Sequence, residues 1–172
     1  YPNIPLYNAA FGPLMVAILA FPVIGVAKHI MENFLATVGK RDIKLTPYAN
    51  QAEAPVTHLQ VGEISAMFDT AETIVNNTVE KLEQWASCDQ FMPVSERARI
   101  NRDIVFADRM VWDAATKLSE AAGGSFSSNK NIANRLWQDA RVATMHPFVN
   151  PSSNFENYGR LLCGIDELLM QV

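Results

Sequence analysis

Residues 100–121, INRDIVFADRMVWDAATKLSEA, decide the fold. Apolar side chains recur at Ile100, Ile104, Ala107, Val111, Ala114, Leu118 and Ala121, in alternating steps of four and three. That repeat keeps one seam of an α-helix against neighbouring helices at small crossing angles. Arg99, Arg102, Asp103, Arg109, Asp113 and Lys117 fall off the seam and read as a solvated or inter-subunit face. Upstream, Ile64, Met67, Phe68, Ala71, Ile74, Val75, Thr78, Leu82 and Trp85 form a second stripe at helical spacing. Thr57 with Gln60 has the form of a capping box opening that helix. Residues 87–93 break it, and Ser95 reads as the N-cap of the next helix.

Working outward to the N-terminus, residues 1–27 carry no charge, and Lys28 is the first charged side chain. Residues 9–27, AAFGPLMVAILAFPVIGVA, are long enough to cross a hydrocarbon core as a helix. A secretory signal needs a basic flank that this segment lacks. Gly12, Pro13, Pro22 and Gly25, with no basic residue ahead of them, favour instead a helix buried on nearly every face, in a domain core or between subunits. The helix continues through Val38, with Gly39 at its C′ position, and a polar connection spans residues 40–56. A start at Tyr-Pro-Asn rather than Met reads as a processed product or a piece of something longer.

Toward the C-terminus, Gly123-Gly124 stops the third helix. A short helix is predicted over about 131–145, and Pro147 and Pro151 interrupt it. Ser153 with Glu156 reads as a second capping box, opening a final helix through Leu161, Leu162, Ile165, Leu168 and Leu169. There is no alternating strand pattern and no internal repeat. The expected architecture is all-α, an up-down four-helix bundle with additional short C-terminal helices. At 172 residues the chain suits one domain. A net charge of −4 argues against phosphate-backbone binding, and Cys88 and Cys163 alone cannot staple a scaffold, which suits a reducing cytoplasm.

Most catalytic signatures are missing. His29, His58 and His146 lie on different elements, and no CxxC, HExxH or Glu-x-x-His pair offers a metal site. There is no nucleophile elbow, no P-loop and no GxGxxG. Glu80 and Glu83 read as a solvated helix face. Two segments remain. In GGSFSSN, residues 123–129, glycines can turn backbone N–H groups outward and serines add hydroxyls, so the turn can hold a phosphate or serve simply as a helix stop. His146, before Pro147, can exchange a proton near neutral pH or act as a structural hydrogen-bonding residue. Phe148 lies two residues on, on the same side if the chain is extended there.

Residues 121–164, AAGGSFSSNKNIANRLWQDARVATMHPFVNPSSNFENYGRLLCG, carry a resemblance. Their paired glycines, basic residue, Trp-x-Asp, His146 seven residues after Asp139, and Glu-x-Tyr-Gly-Arg ending at Arg160 resemble the C-terminal helical domain of the acyl-CoA dehydrogenase fold. The closer likeness is to its two-component flavin-dependent monooxygenases, the relatives of 4-hydroxyphenylacetate and steroid-phenol hydroxylases and of dibenzothiophene monooxygenase. The motif match covers about a quarter of the chain, and the architecture all of it.

The resemblance implies that residues 1–172 are a bundle domain, with the family's N-terminal helical and central β domains outside this chain. It implies a homo-oligomer, a tetramer in the family, and reduced FMN or FAD supplied by a separate flavin reductase. One oxygen of O2 then goes to a small apolar or aromatic substrate. Gly123, Gly124, Ser125 and Ser127 match the loop that approaches the flavin phosphate, and Arg41 sits where relatives place a cation for it. His146 matches the histidine beside the flavin ring and substrate, with Phe148 and, on the first helix, Met15 walling the pocket. Acyl-CoA dehydrogenases carry a catalytic glutamate at about this place. Met145-His146-Pro147-Phe148 has none, which favours oxygenation. Gln138 replaces the family's usual arginine before the aspartate. The alternatives are an acyl-CoA dehydrogenase bundle with its base elsewhere, or a non-catalytic oligomerisation module, which binds no flavin. The resemblance also implies a cytoplasmic protein without membrane or nucleic-acid partners, whose residues 1–27, cut off from other domains, drive self-association.

Overall fold

The computed structural model describes residues 5–88 and 90–172. Among these it contains five α-helices and no strand: α1 (Phe11–Val38), α2 (Pro55–Ala86), α3 (Val94–Ala121), α4 (Ile132–Ala143) and α5 (Pro151–Leu162). The all-α bundle expected from periodicity is therefore the fold. Its core follows from one repeat used three times. α1 buries Val16, Ala20, Val23, Ala27, Ile30 and Phe34. α2 buries Ile64, Phe68, Ala71, Val75, Thr78 and Leu82, and α3 buries Ile100, Ile104, Ala107, Val111, Ala114 and Leu118. All three stripes step by four and three in turn, so each presents a straight seam to the others.

α3 touches all four other helices. It therefore has a second buried stripe, Ala98, Asn101, Val105, Asp108 and Ala115, beside the seam read from sequence. Part of the face expected to be solvated is packed as well. Arg102 forms a half-buried ion pair with Asp103, and its guanidinium lies 4.1 Å from the centre of the Tyr158 ring on α5. Lys117 stays partly exposed, paired with Glu63 of α2.

The long apolar helix packs against α2, α3 and α4 but is not buried on nearly every face. Phe11, Ile18 and Phe21 are half exposed or more, and Leu35 is nearly so at 47%. Pro22 lies on this outer side, where the Ile18 carbonyl it leaves without a donor can be hydrated. The first residues of the uncharged segment, 1–4, lie outside the described residues.

Helix ends depart from the sequence reading in five places, three of them starts set by a proline at the first helical position or just before it. α2 starts at Pro55 with Ala54 as its cap, leaving Thr57 inside the first turn, buried, rather than capping. α3 starts at Val94 after Pro93, so Ser95 is not its N-cap. α5 starts at Pro151, and the Asn150 side chain accepts from the N–H groups of Ser152 and Ser153, displacing the Ser153–Glu156 box. Gly39 keeps a right-handed φ of −75°, so its extra conformational freedom is not used. α5 also stops at Leu162 instead of reaching Leu169. The following residues are held by Asn157, whose side chain accepts from Leu169 N–H and donates to the Met170 carbonyl, and by Arg160, which donates to the Glu167 carbonyl. Gly12 makes room for this tail, since a Cβ there would come within 2.8 Å of the Val172 backbone.

Asp108 sits in the second stripe at 2% exposure, and neither carboxylate oxygen has a hydrogen-bond partner. Burial pushes its pKa from 3.8 up to about 7. An unfolded chain releases this proton near pH 4 while the folded chain holds it to about 7. Stability is therefore full below the lower value, falls as pH rises between the two, and is level above. We expect the chain to lose about 4 kcal/mol between pH 4 and pH 8 relative to Asp108→Asn. Urea unfolding at the two pH values measures it, and parallel pH profiles for the two proteins would refute it.

Candidate functional site

The two segments singled out by sequence lie at opposite ends of α4. Before α4, the chain leaves α3 at Ala122 and enters a left-handed turn at Gly123, where φ is +66° and a side chain would be strained. A 3-10 turn over Gly124–Ser127 follows, and Asn131 caps α4 by accepting from Ala133 N–H. The turn is tied to α4 from within. Asn131 donates to the Ser125 carbonyl at 3.3 Å and Asn134 to the Ser127 carbonyl at 3.4 Å. Gln138 donates to the Asn134 side chain at 3.1 Å, so it supports the turn indirectly.

Arg41 reaches this turn from the connection that follows α1. Its guanidinium donates to the Ser125 hydroxyl, 84 residues away in sequence. Alongside lies a cavity of about 300 Å³ between α1, the end of α3 and the start of α4, lined by Thr37, Arg41, Phe126, Lys130 and Asn131 among others. Two cations, a serine turn and a helix N-terminus thus converge on one hollow, the donor set that suits a phosphate. Gly123, Gly124, Ser125 and Ser127 are all exposed beside it. Lys130 and Asn131 complete the set beyond the residues named from sequence.

After α4, His146 precedes a 3-10 turn over Pro147–Val149. Its Nδ1 accepts the Phe148 N–H at 3.2 Å, and the His146 and Phe148 rings stand 5.3 Å apart. The chain is not extended here, yet the two rings still meet. With Nδ1 used as an acceptor, the neutral ring carries its proton on Nε2, which can donate outward. His146 is exposed and Phe148 partly so. Met15 is half-buried on α1, the helix that packs against this turn. Among the described residues no group of three His, Cys, Asp or Glu is gathered to hold a metal.

Sequence reasoning missed two features on the α3–α4 side. Trp112 and Trp137 pack with ring centroids 4.7 Å apart, and Arg141 lies 5.0 Å over Trp112. Asp108 lies beside them on a cavity wall. Its signal was present, one residue off the main stripe at four from Ile104, where a second seam runs.

Solved structures share this fold. XiaF from Streptomyces sp., in complex with FADH2 and glycerol, is 25% identical with a TM-score of 0.93, covering 98% of this chain and 43% of XiaF. The 3-HSA hydroxylase from Rhodococcus sp. RHA1 is 22% identical with a TM-score of 0.84, covering 95% of this chain and 42% of the hydroxylase. TdsC from Paenibacillus sp. A11-2, a dibenzothiophene monooxygenase, is similar in its complex with FMN and indole, at 18% identity and a TM-score of 0.79, covering 93% of this chain and 41% of TdsC. This chain therefore spans about two fifths of the length of these proteins. The comparison with curated proteins gives no match. The family described as acyl-CoA dehydrogenase, C-terminal domain, matches residues 17–151. That match takes in the heptad seams, the serine turn and His146, and the chain belongs to this family.

Proposed function

We propose that this chain is the C-terminal, flavin-facing bundle of a reduced-flavin-dependent monooxygenase acting on a small aromatic or other apolar substrate. In this reading it works beside N-terminal helical and central β domains, in a cytoplasmic homotetramer, with a separate reductase supplying the flavin. The observation that carries the reading is the meeting of Arg41 with Ser125 beside a cavity that Lys130 also lines. The donors fit a flavin phosphate: Arg41 and Lys130 provide charge, and the Ser125 and Ser127 turn and the α4 N-terminus provide hydrogen bonds. XiaF with FADH2 and TdsC with FMN, similar in fold, support a flavin ligand.

Reduced FMN or FAD, when bound, supplies the electrons that activate O2 for transfer of one oxygen atom to the substrate. The bundle's own residues then have distinct tasks. His146 donates from Nε2 toward the reacting groups while its Nδ1 stays fixed by the turn. Phe148, with Met15 on α1, forms an apolar wall that excludes water. No carboxylate flanks His146, so the residues suit hydrogen-bond donation rather than abstraction of a carbon-bound proton.

In the enzyme containing this bundle, His146→Asn keeps an acceptor that can cap the turn. It should cut hydroxylation by about 100-fold while leaving thermal stability near that of the parent, whereas His146→Ala loses both. Unchanged hydroxylation and unchanged peroxide leakage in His146→Ala would remove the residue from the mechanism. Arg41→Ala and Lys130→Ala should each weaken FMN or FAD binding by about 10- to 100-fold in a fluorescence titration. Riboflavin, which has no phosphate, should bind the variants as it binds the parent. An equal loss for riboflavin would place the phosphate elsewhere.

A further inference from the structure

The corner between α4 and α5, residues 144–154, carries His146 and is joined to α3 in a particular way. Among the described residues, its hydrogen bonds stay within the corner or run to the two helices it connects. None reaches α3. The polar ties to α3 lie on either side of it. On α4, Trp137 Nε1 donates to the Thr116 hydroxyl at 3.2 Å, and Arg141 lies over the Trp112 ring. On α5, the Tyr158 ring holds the Arg102 guanidinium. Between these ties the corner meets α3 by packing alone, with Val149 buried in the core at 1% exposure. It can therefore leave α3 without losing a hydrogen bond.

A half-open hollow of about 480 Å³ separates this corner from part of α3, bordered by Thr144, Met145, Val149 and Asp108 among others. Both Asp108 carboxylate oxygens are sealed from solvent and have no hydrogen-bond partner. A neutral carboxyl tolerates such a place far better than a carboxylate, which needs water or donors around it. The surrounding charges are engaged elsewhere. On α3, Arg109 lies 4.0 Å from Asp113, and Arg102 pairs with Asp103. Arg141 of α4 lies over Trp112, and on α5 Arg160 pairs with Glu156 at 3.6 Å. His146 is exposed, with Nδ1 committed to the Phe148 N–H, and α1 and α2 contribute no lining residue.

We propose that the α4–α5 corner is a proton-operated latch, closed on α3 over a neutral Asp108 and lifted to admit water when Asp108 is ionised, carrying His146 with it. The hollow stands ready to supply that water, and the ties at Trp137, Arg141 and Tyr158 confine the movement to the corner. Such a local opening is a two-state element that a single proton can bias. Its bearing on hydroxylation, through the position of His146, rests on the function proposed above. The opening itself does not.

Burial holds the closed-state carboxyl protonated to about pH 7, whereas an opened corner lets it ionise near pH 4. The open fraction therefore rises with pH between those values and levels off above them. From pH 6 to pH 8 it should grow about tenfold. In the full chain, a thiol at Val149→Cys should react with N-ethylmaleimide only when the corner lifts. Val75→Cys, at an equally buried position on α2, reports global unfolding. With labelling read by mass spectrometry, position 149 should react about tenfold faster than position 75 at pH 8. Its increase from pH 6 to pH 8 should be about tenfold smaller in an Asp108→Asn background. Thiol ionisation and His146 titrate in both backgrounds, so the comparison isolates Asp108. Asp108→Ala, a second background without the carboxyl, should match Asp108→Asn. Equal labelling at positions 149 and 75, or the same pH response with and without the carboxyl, would overturn the latch.

Discussion

Everything in this molecule depends on α3 being packed on two sides at once. Two adjacent stripes are buried, one from Ile100 to Leu118 and the other from Ala98 through Val105 to Ala115, and between them the helix touches α1, α2, α4 and α5. A helix enclosed this way cannot rotate to relieve a poor contact on one side without spoiling the other. Hydrophobic burial on both seams therefore sets the positions of the serine turn at its C-terminal end and of the wall that α4 and α5 build against it. Asn101 and Asp108 occupy the second seam as buried polar residues, and they are where packing alone does not account for the choice of side chain.

The candidate phosphate site is an outcome of that arrangement. Arg41 belongs to the polar connection after α1, and Ser125 to the turn after α3. They meet because α1 and α3 run side by side and end near each other. Neither residue is informative alone, since an arginine in a loop and a serine after two glycines are both commonplace. Their contact, with Lys130 and the capped start of α4 beside it, makes a concentrated set of donors. His146 shows the opposite economy. One ring nitrogen holds the local turn and the other is left free, so a structural and a chemical role share one side chain rather than competing for it.

The helical class, the three long helices and the position of the serine turn were legible in the sequence because heptad spacing is a local, repeated signal. The alternation from Ile100 to Leu118 needs no knowledge of its partners. Helix starts were less legible. Thr57, Ser95 and Ser153 are good capping residues, but Pro55, Pro93 and Pro151 set where each helix begins, because proline restricts backbone geometry more strongly than one side-chain hydrogen bond does. Within this chain α1 is covered on only part of its surface, and the reading of it as buried in a domain core or between subunits goes beyond what these five helices can test. Apolarity reports what a surface avoids, and not whether this chain is what covers it. Asp108 was hidden because its significance lies in absent partners, which only packing reveals.

The length of α4 has a consequence of its own. Twelve residues of helix separate the serine turn from His146, which is about 18 Å along the axis. The helix acts as a ruler with a fixed rotational phase between its two ends. Adding a single residue would lengthen it by about 1.5 Å and swing one end by about 100° relative to the other. The two clusters can therefore diverge in chemistry by substitution, but they cannot change their spacing by small steps. Any molecule that touches both, within one chain or across neighbouring copies, is measured against that one interval.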